Sequence, residues 1–209
     1  MIRPLHPFVF LPIAALLALA ACSASAPPIR LHTLMPAELA PRDAAANAVP
    51  IAIALEPIRV PAQVDQPQWL VLLPDDSLAS LEQERWASPL RDELRQALLE
   101  ELAARYGAVE ARGPVPASGS VLRIALDLRR FDSIPGREAR LEGVWTIASA
   151  GAAPSLRCEA LVREAAPAGM PALAAAHRRA VVRLADAIGA TLVAMRSGAG
   201  AACPALDPR

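Results

Sequence analysis

The sequence predicts an α+β fold in which a largely antiparallel β-sheet carries two amphipathic helices on one face. Residues 89–105 and 171–195 place apolar side chains at spacings of three and four, which is typical of helices that cover a sheet. Between these helices, three segments alternate apolar and polar side chains and are separated by short turns. This pattern predicts an antiparallel meander over residues 121–131, 139–148 and 156–163.

The start of the chain has the composition of a secretory signal peptide. Arg3 supplies a positive charge, residues 8–20 are apolar and uncharged, and two small alanines precede Cys22. The apolar run is shorter than the roughly 20 residues that a membrane-spanning helix needs, and Pro12 interrupts it. We therefore predict a signal peptide over residues 1–21.

Cys22 marks an anchoring site. Residues 19–22, Leu-Ala-Ala-Cys, resemble the lipobox of bacterial lipoproteins. This resemblance implies cleavage before Cys22, diacylglycerol on its thiol and an N-acyl chain such as palmitate on its amine, with no other cofactor. Ser23 stands where lipoproteins of the inner membrane usually have Asp, so the resemblance implies the inner leaflet of the outer membrane, facing the periplasm. The rival interpretation is an ordinary signal peptide followed by an unmodified cysteine.

Residues 22–28 are small and include prolines, and we interpret them as a lipidated tether. Residues 29–34 alternate apolar and polar side chains, which predicts the first strand. Residues 49–60 are mainly apolar and predict one or two further strands. Residues 69–73 are followed by a turn and pair with residues 78–81 as a hairpin.

The first helix has clear end signals. Ser88 is the candidate N-cap, Pro89 occupies the first helical position, and Gly107 is a natural C-terminal stop. We place a single α+β domain over residues 29–197 and a flexible C-terminal tail over residues 198–209.

Composition limits the classes of function. The net charge is zero, so no overall field attracts the chain to nucleic acid, and none is expected as a partner. Aromatic residues make up 3% of the chain, so the core must consist mainly of Leu, Val, Ile and Ala. The rare aromatic residues are therefore expected to be large pieces of core or interface: Trp69, Trp86, Phe131 and Trp145.

Cys158 and Cys203 accompany Cys22. An exported chain reaches a compartment in which disulfides persist, and a Cys158–Cys203 disulfide would attach the tail to the body. The alternative is two unpaired thiols, because spacing alone does not decide between them.

The search for catalytic or metal-binding residues yields no candidate. His177 is expected on the surface of the last helix, and His32 lies in the first strand without a neighbouring Cys or acidic residue at ligand spacing. No nucleophile elbow, phosphate-binding loop or zinc-protease motif is found in the sequence. The sequence therefore favours a protein that is not an enzyme and holds no metal.

Several segments resemble one family together. They include Arg-Trp-Ala-Ser-Pro-Leu at 85–90, Arg-Phe-Asp at 130–132 and Leu-Glu-Gly-Val-Trp at 141–145. Residues 30–34, 58–61 and 64–68 fit in the same order. This set resembles the PqiC (YmbA-like) family, the ABC-type transport auxiliary lipoproteins, over most of residues 29–195.

The resemblance implies a function. Such lipoproteins accompany MCE-domain proteins, whose rings or tubes carry lipid across the periplasm, driven in some systems by an ABC transporter. It therefore implies a non-catalytic subunit that docks the conduit to the outer membrane, with a homo-oligomeric ring by analogy. The family motifs carry over Pro61, Pro67 and Phe131, and they make four residues candidates for a partner or oligomer interface: Asp65, Trp86, Asp132 and Trp145.

Simpler roles stand beside these assignments. The tryptophans and Phe131 also fit a core, the prolines also shape loops, and Asp65 and Asp132 also fit turn caps. Three rival functions stand beside the transport role. The first is an envelope assembly or maintenance lipoprotein without a transport partner, the second a lipid-anchored enzyme, and the third a domain that itself carries lipid in an apolar cavity.

Overall fold

A computed structural model of the chain describes residues 27–35, 50–111, 121–149, 155–197 and 202–204. The predicted signal peptide, Cys22 and most of the tether and tail lie outside these residues. The elements in chain order are β1 (Arg30–His32), β2 (Ile51–Leu55), a 3₁₀ helix (Ala62–Val64), β3 (Gln68–Leu72), β4 (Leu78–Trp86), α1 (Leu90–Tyr106), β5 (Ala108–Glu110), β6 (Leu122–Ile134), β7 (Glu138–Ser149), β8 (Leu156–Ala165) and α2 (Met170–Ser197). The α+β prediction is confirmed.

The strands form two mixed sheets rather than the single sheet that we expected. One has the order β1-β4-β3 and the other the order β5-β2-β6-β7-β8. The meander β6-β7-β8 and the hairpin β3-β4 are antiparallel, whereas β1 pairs with β4, and β2 with β5 and β6, in parallel. Alternation along a strand predicts which face is buried, but it carries no information about the direction of a distant partner.

A β-bulge in β6 changes which side chains face the core. Before it, the inward residues are every second one from Leu122 to Leu128. The register with β7 shifts between Leu128 and Arg130, and the next inward side chains are Phe131 and Ser133. A bulge adds one residue to one strand, so it turns Phe131 and Ser133 towards the three-stranded sheet, where they contact Trp86 and Trp69.

Helix α1 differs from the expectation at its first turn. Pro89 is the N-cap and Leu90 the first helical residue, and Pro89 makes no side-chain cap hydrogen bond. The amide and hydroxyl of Ser88 instead donate to the side chain of Glu93. Gly107 ends the helix in the left-handed conformation, as predicted.

Helix α2 packs on β7 and β8 and beside α1. Its predicted apolar stripe is buried, including Leu173, Leu184, Ile188 and Leu192. Neither described helix combines the length and the apolarity needed for a membrane span.

Strand β4 is longer than the predicted hairpin segment, because it continues through the four polar residues 82–85 to Trp86. This extension lies between β1 and β3, and its Glu84 makes side-chain hydrogen bonds to β1.

Candidate functional site

Strand β1 is the first folded element after the predicted tether. It pairs with the end of β4, with Arg30 opposite Glu84, Leu31 opposite Arg85 and His32 opposite Trp86. A three-residue strand makes few ladder hydrogen bonds, so side chains must contribute to its attachment.

Glu84 makes the first of these attachments. Its side chain is almost fully buried and accepts hydrogen bonds from Arg30 and from His32 Nε2, the latter over 2.6 Å. Burial alone would raise the pKa of Glu84, but the hydrogen bonds from His32 and Arg30 outweigh it and lower the pKa below its ordinary value. Glu84 is therefore a charged acceptor between two β1 residues.

Glu93, in the first turn of α1, makes the second attachment. One carboxylate oxygen accepts from Thr33 Oγ1 at 2.7 Å and from the Leu34 amide at 2.8 Å. The other accepts from the Ser88 amide at 3.1 Å and its hydroxyl at 2.9 Å. Arg178 of α2 also donates to the Thr33 carbonyl at 3.1 Å. We call Glu84 and Glu93, with the residues 30–34 that they hold, the carboxylate clamp.

An aromatic cluster lies beneath the clamp. The rings of His32 and Trp69 have centroids 4.9 Å apart, and those of Trp69 and Trp86 are 4.2 Å apart. The ring of His177 stacks on Phe131 at 4.1 Å with an interplanar angle of 12°. The cluster joins the small sheet to the bulged end of β6 and to α2, so His32 of the clamp packs against aromatic rings of the core.

His177 is fully buried, so its expected position on the helix surface is wrong. Its Nε2 lies 2.8 Å from Ser133 Oγ, which accepts a hydrogen bond from Trp69 Nε1 at 2.7 Å. Burial lowers the pKa of His177 from 6.5 to about 3, so the ring is neutral. A signal was present in the sequence, because residue 177 follows Leu173 by four and precedes Val181 by four.

Ser133 and His177 have the spacing of a nucleophile and its base, but both are buried. His177 Nδ1 has no partner among the described side chains, so no carboxylate orients the ring. The pair therefore serves as a polar contact within the core. In the described part of the chain, no group of three His, Cys, Asp or Glu side chains could hold a metal ion.

A groove of about 450 Å³ lies where β4 leads into α1. Asp65 forms an ion pair with Arg91 across it, which raises the pKa of Arg91. Its lining consists of two chain segments, 65–67 and 85–91. We call this surface the β4–α1 groove. It brings together two of the segments on which the family resemblance rests.

The four candidate interface residues do not form one site. Asp65 and Trp86 line the β4–α1 groove, although Trp86 is mostly buried in the aromatic cluster. Asp132 lines a separate concavity of about 220 Å³. Trp145 is fully buried, opposite Leu126 of β6 and Cys158 of β8, so its side chain lies in the core rather than at an interface.

Asp132 is held by arginines on its own sheet. Its carboxylate lies 3.3 Å from Arg130 and 3.8 Å from Arg140. The ion pairs are partly exposed, so they orient the side chain more than they stabilise the fold.

Cys158 and Cys203 form a disulfide with Cα atoms 5.4 Å apart. Cys158 is buried in β8, and residues 202–204 are the described part of the tail. Cys203 Sγ also lies 3.2 Å from the Arg157 carbonyl. The bridge therefore attaches the tail to the last strand of the larger sheet.

Comparisons with known proteins agree with this architecture. The sequence profile of a family described as the ABC-type transport auxiliary lipoprotein component matches residues 32–189, which include the β4–α1 groove and most of the clamp. A crystal structure of a Xanthomonas campestris protein is similar with a TM-score of 0.61 and 18% identity, covering 81% of this chain and 98% of the other. The crystal structure of an uncharacterized protein is similar with a TM-score of 0.63 and 15% identity, over 78% and 97%. At these identities the structures support the fold alone. No curated protein sequence matches the chain.

Proposed function

The chain belongs to the family of ABC-type transport auxiliary lipoprotein components, and from this premise we propose that it docks the periplasmic conduit of an MCE lipid transport system to the outer membrane. Its role is non-catalytic. Acylated Cys22 holds the domain on the inner leaflet, and the folded body binds the MCE protein.

The carboxylate clamp is the observation that carries this proposal. Arg30 follows Cys22 by eight residues, so any force between the lipid anchor and the domain enters at β1. Glu84 and Glu93 bind this strand with buried charged acceptors, and hydrogen bonds to charged groups are stronger than neutral ones. An anchored docking subunit needs this reinforcement at its membrane end.

The β4–α1 groove is the surface that we assign to the MCE partner. It combines an exposed ion pair, Asp65 with Arg91, with the edge of Trp86, and aromatic and arginine side chains are enriched at protein interfaces. Anchoring both partners in the same envelope raises their effective concentration, so a weak contact suffices. A homo-oligomeric ring around the conduit would multiply that contact.

The experiment is a pull-down from crosslinked envelopes with the chain as bait. We expect the wild-type bait to recover an MCE protein and Cys22→Ala to move the bait to the soluble periplasm. Asp65→Arg reverses one charge in the groove and should reduce recovery. Asp127→Arg is the matched control, because Asp127 forms a similarly exposed ion pair with Arg59 but does not line the groove.

Two outcomes would contradict parts of the proposal. A membrane-bound bait that recovers only envelope assembly factors, or no protein, would remove the transport role and favour the maintenance lipoprotein. Equal recovery by Asp65→Arg and Asp127→Arg would place the partner elsewhere on the domain.

A further inference from the structure

The outer face of β1, taken with Ile29 immediately before it, carries two exposed apolar side chains. Arg30 and His32 turn towards Glu84, so Ile29 and Leu31 point the other way. They are 52% and 64% exposed. Exposed apolar residues are ordinary when scattered, but here they occupy the segment that joins the domain to Cys22.

A cation without an ionic partner lies beside them. Leu31 is opposite Arg85 in the parallel register, so both side chains project from the same face of the sheet. Among the described residues no carboxylate forms an ion pair with Arg85, and its Nε is buried without a hydrogen-bond partner. Apolar side chains next to an arginine suit the boundary between lipid headgroups and acyl chains.

The length of the tether determines which side of the domain lies near the membrane. Four residues, 23–26, lie between Cys22 and Pro27, and the five Cα–Cα steps from Cys22 to Pro27 span at most about 18 Å. A domain of this size is roughly 40 Å across, so the tether is shorter than half the domain. The β1 side therefore lies closest to the membrane that holds Cys22.

We propose that the outer face of β1, formed by Ile29, Leu31 and Arg85, rests on the phospholipid headgroups of the leaflet that holds the acyl groups of Cys22. The two apolar side chains enter the headgroup region, and Arg85, which stands at the edge of the β4–α1 groove, binds a lipid phosphate on the β1 side of that edge. This contact fixes the orientation of the domain, so the adjoining β4–α1 groove opens beside the membrane. The inference rests on the lipid anchor of the proposed function.

The test uses the acylated protein, purified from membranes and reconstituted into vesicles of phosphatidylethanolamine and phosphatidylglycerol. A Leu31→Cys variant carries an environment-sensitive nitrobenzoxadiazole dye, attached without reduction of the native disulfide. Leu78→Cys is the matched control, because Leu78 is also exposed and begins β4, seven residues from Arg85, which is about 23 Å along the strand. Brominated lipids quench a dye that enters the bilayer interface.

We expect quenching and a blue-shifted emission for the dye at position 31 and neither for the dye at position 78. On the Leu31→Cys background, Arg85→Gln should remove the increase in quenching that added phosphatidylglycerol produces. Arg129→Gln should retain it, because Arg129 is exposed to solvent but lies on β6 in the other sheet, whereas Arg85 is half-buried beside Leu31.

Each contrary result has a distinct meaning. Protein that does not float with the vesicles overturns the lipid anchor and this inference with it. Protein that floats but shows equal quenching at positions 31 and 78 overturns the membrane contact alone. Protein that floats, is unquenched at position 31 and crosslinks there to a second copy of itself overturns the membrane contact and assigns the face to self-association.

Discussion

Replacement of Glu93 by glutamine should loosen the strand that connects the domain to its anchor. Glutamine preserves the size of the side chain but exchanges one accepting oxygen for a donating amide. The hydroxyls of Thr33 and Ser88 can rotate to accept from that amide, but the backbone N–H groups of Leu34 and Ser88 cannot. Whichever way the amide is turned, one backbone N–H group loses its acceptor, either the buried one of Leu34 or the partly buried one of Ser88.

The expected magnitude follows from these bonds. A buried donor without an acceptor costs about 1–3 kcal/mol, and the remaining bonds lose the contribution of the negative charge. We expect Glu93→Gln to lower the free energy of unfolding by about 2–4 kcal/mol. A loss of 3 kcal/mol would lower Tm by roughly 6–12 °C in a domain of this size.

The assay combines thermal unfolding with hydrogen exchange. Because the clamp acts on one strand, peptides covering residues 30–35 should exchange faster by roughly a hundredfold for 3 kcal/mol. The exchange rate of peptides from the centre of α2 should rise only as much as the loss of global stability requires. Glu100→Gln is the control, because Glu100 lies on the same helix and forms no ion pair or side-chain hydrogen bond with the described residues.

The reasoning is refuted if Glu93→Gln and Glu100→Gln have the same Tm and the same exchange in residues 30–35. A large fall in Tm without faster exchange in that segment would also contradict it, because Glu93 would then stabilise α1 rather than hold β1.

Three further changes test other parts of the structure. His177 is neutral when folded, with its pKa lowered from 6.5 to about 3, so protonation favours the unfolded chain; stability that is complete above pH 6.5 should fall by about 1.4 kcal/mol per pH unit towards pH 3. Urea titrations at several pH values should show that the free energy of unfolding depends less steeply on pH in His177→Gln than in the wild type. An equally steep dependence would contradict the argument that burial lowers the pKa of His177. The bridge between Cys158 and Cys203 closes a sequence separation of 45 residues, so Cys203→Ser should cost up to about 4 kcal/mol in denaturation experiments and should match the wild type once both are reduced. Gly189→Ala should destabilise the protein although alanine favours helices by about 1 kcal/mol, because the added Cβ would lie 2.2 Å from the Tyr106 ring; calorimetry should show the sign reverse in a Tyr106→Ala background.

Local patterns predicted the larger elements correctly. The helices and the meander repeat their apolar positions over 10 to 28 residues, so each period is well defined within its own segment. The end of α1 was predicted correctly from a single residue, Gly107, which adopts the left-handed conformation there. These features depend only on neighbours in the sequence, which is why they could be predicted.

The clamp depends on residues that are distant in sequence. Glu84 belongs to a polar stretch that looks unlike a buried strand, and its partner Arg30 is 54 residues away. The helical pattern alone predicts that Glu93 lies on the exposed face of α1. Its contact with Thr33, which is 60 residues away in the sequence, is formed only in the folded structure. The prediction that His177 lies on the helix surface is wrong because it rested on the polarity of the side chain. The spacing of His177 from Leu173 and Val181 matches the buried stripe.

Buried carboxylates also determine the register of β1. A slip of one residue would turn Leu31 towards Glu84 and move Arg30 and His32 to the outer face. Glu84 would then be a buried charge without a partner, which costs several kcal/mol. A short apolar strand could bind as tightly in either register, whereas the clamp penalises one of them. The register that satisfies Glu84 is also the register that exposes Ile29 and Leu31, so the internal attachment of β1 and the face it presents at the anchor have the same physical cause.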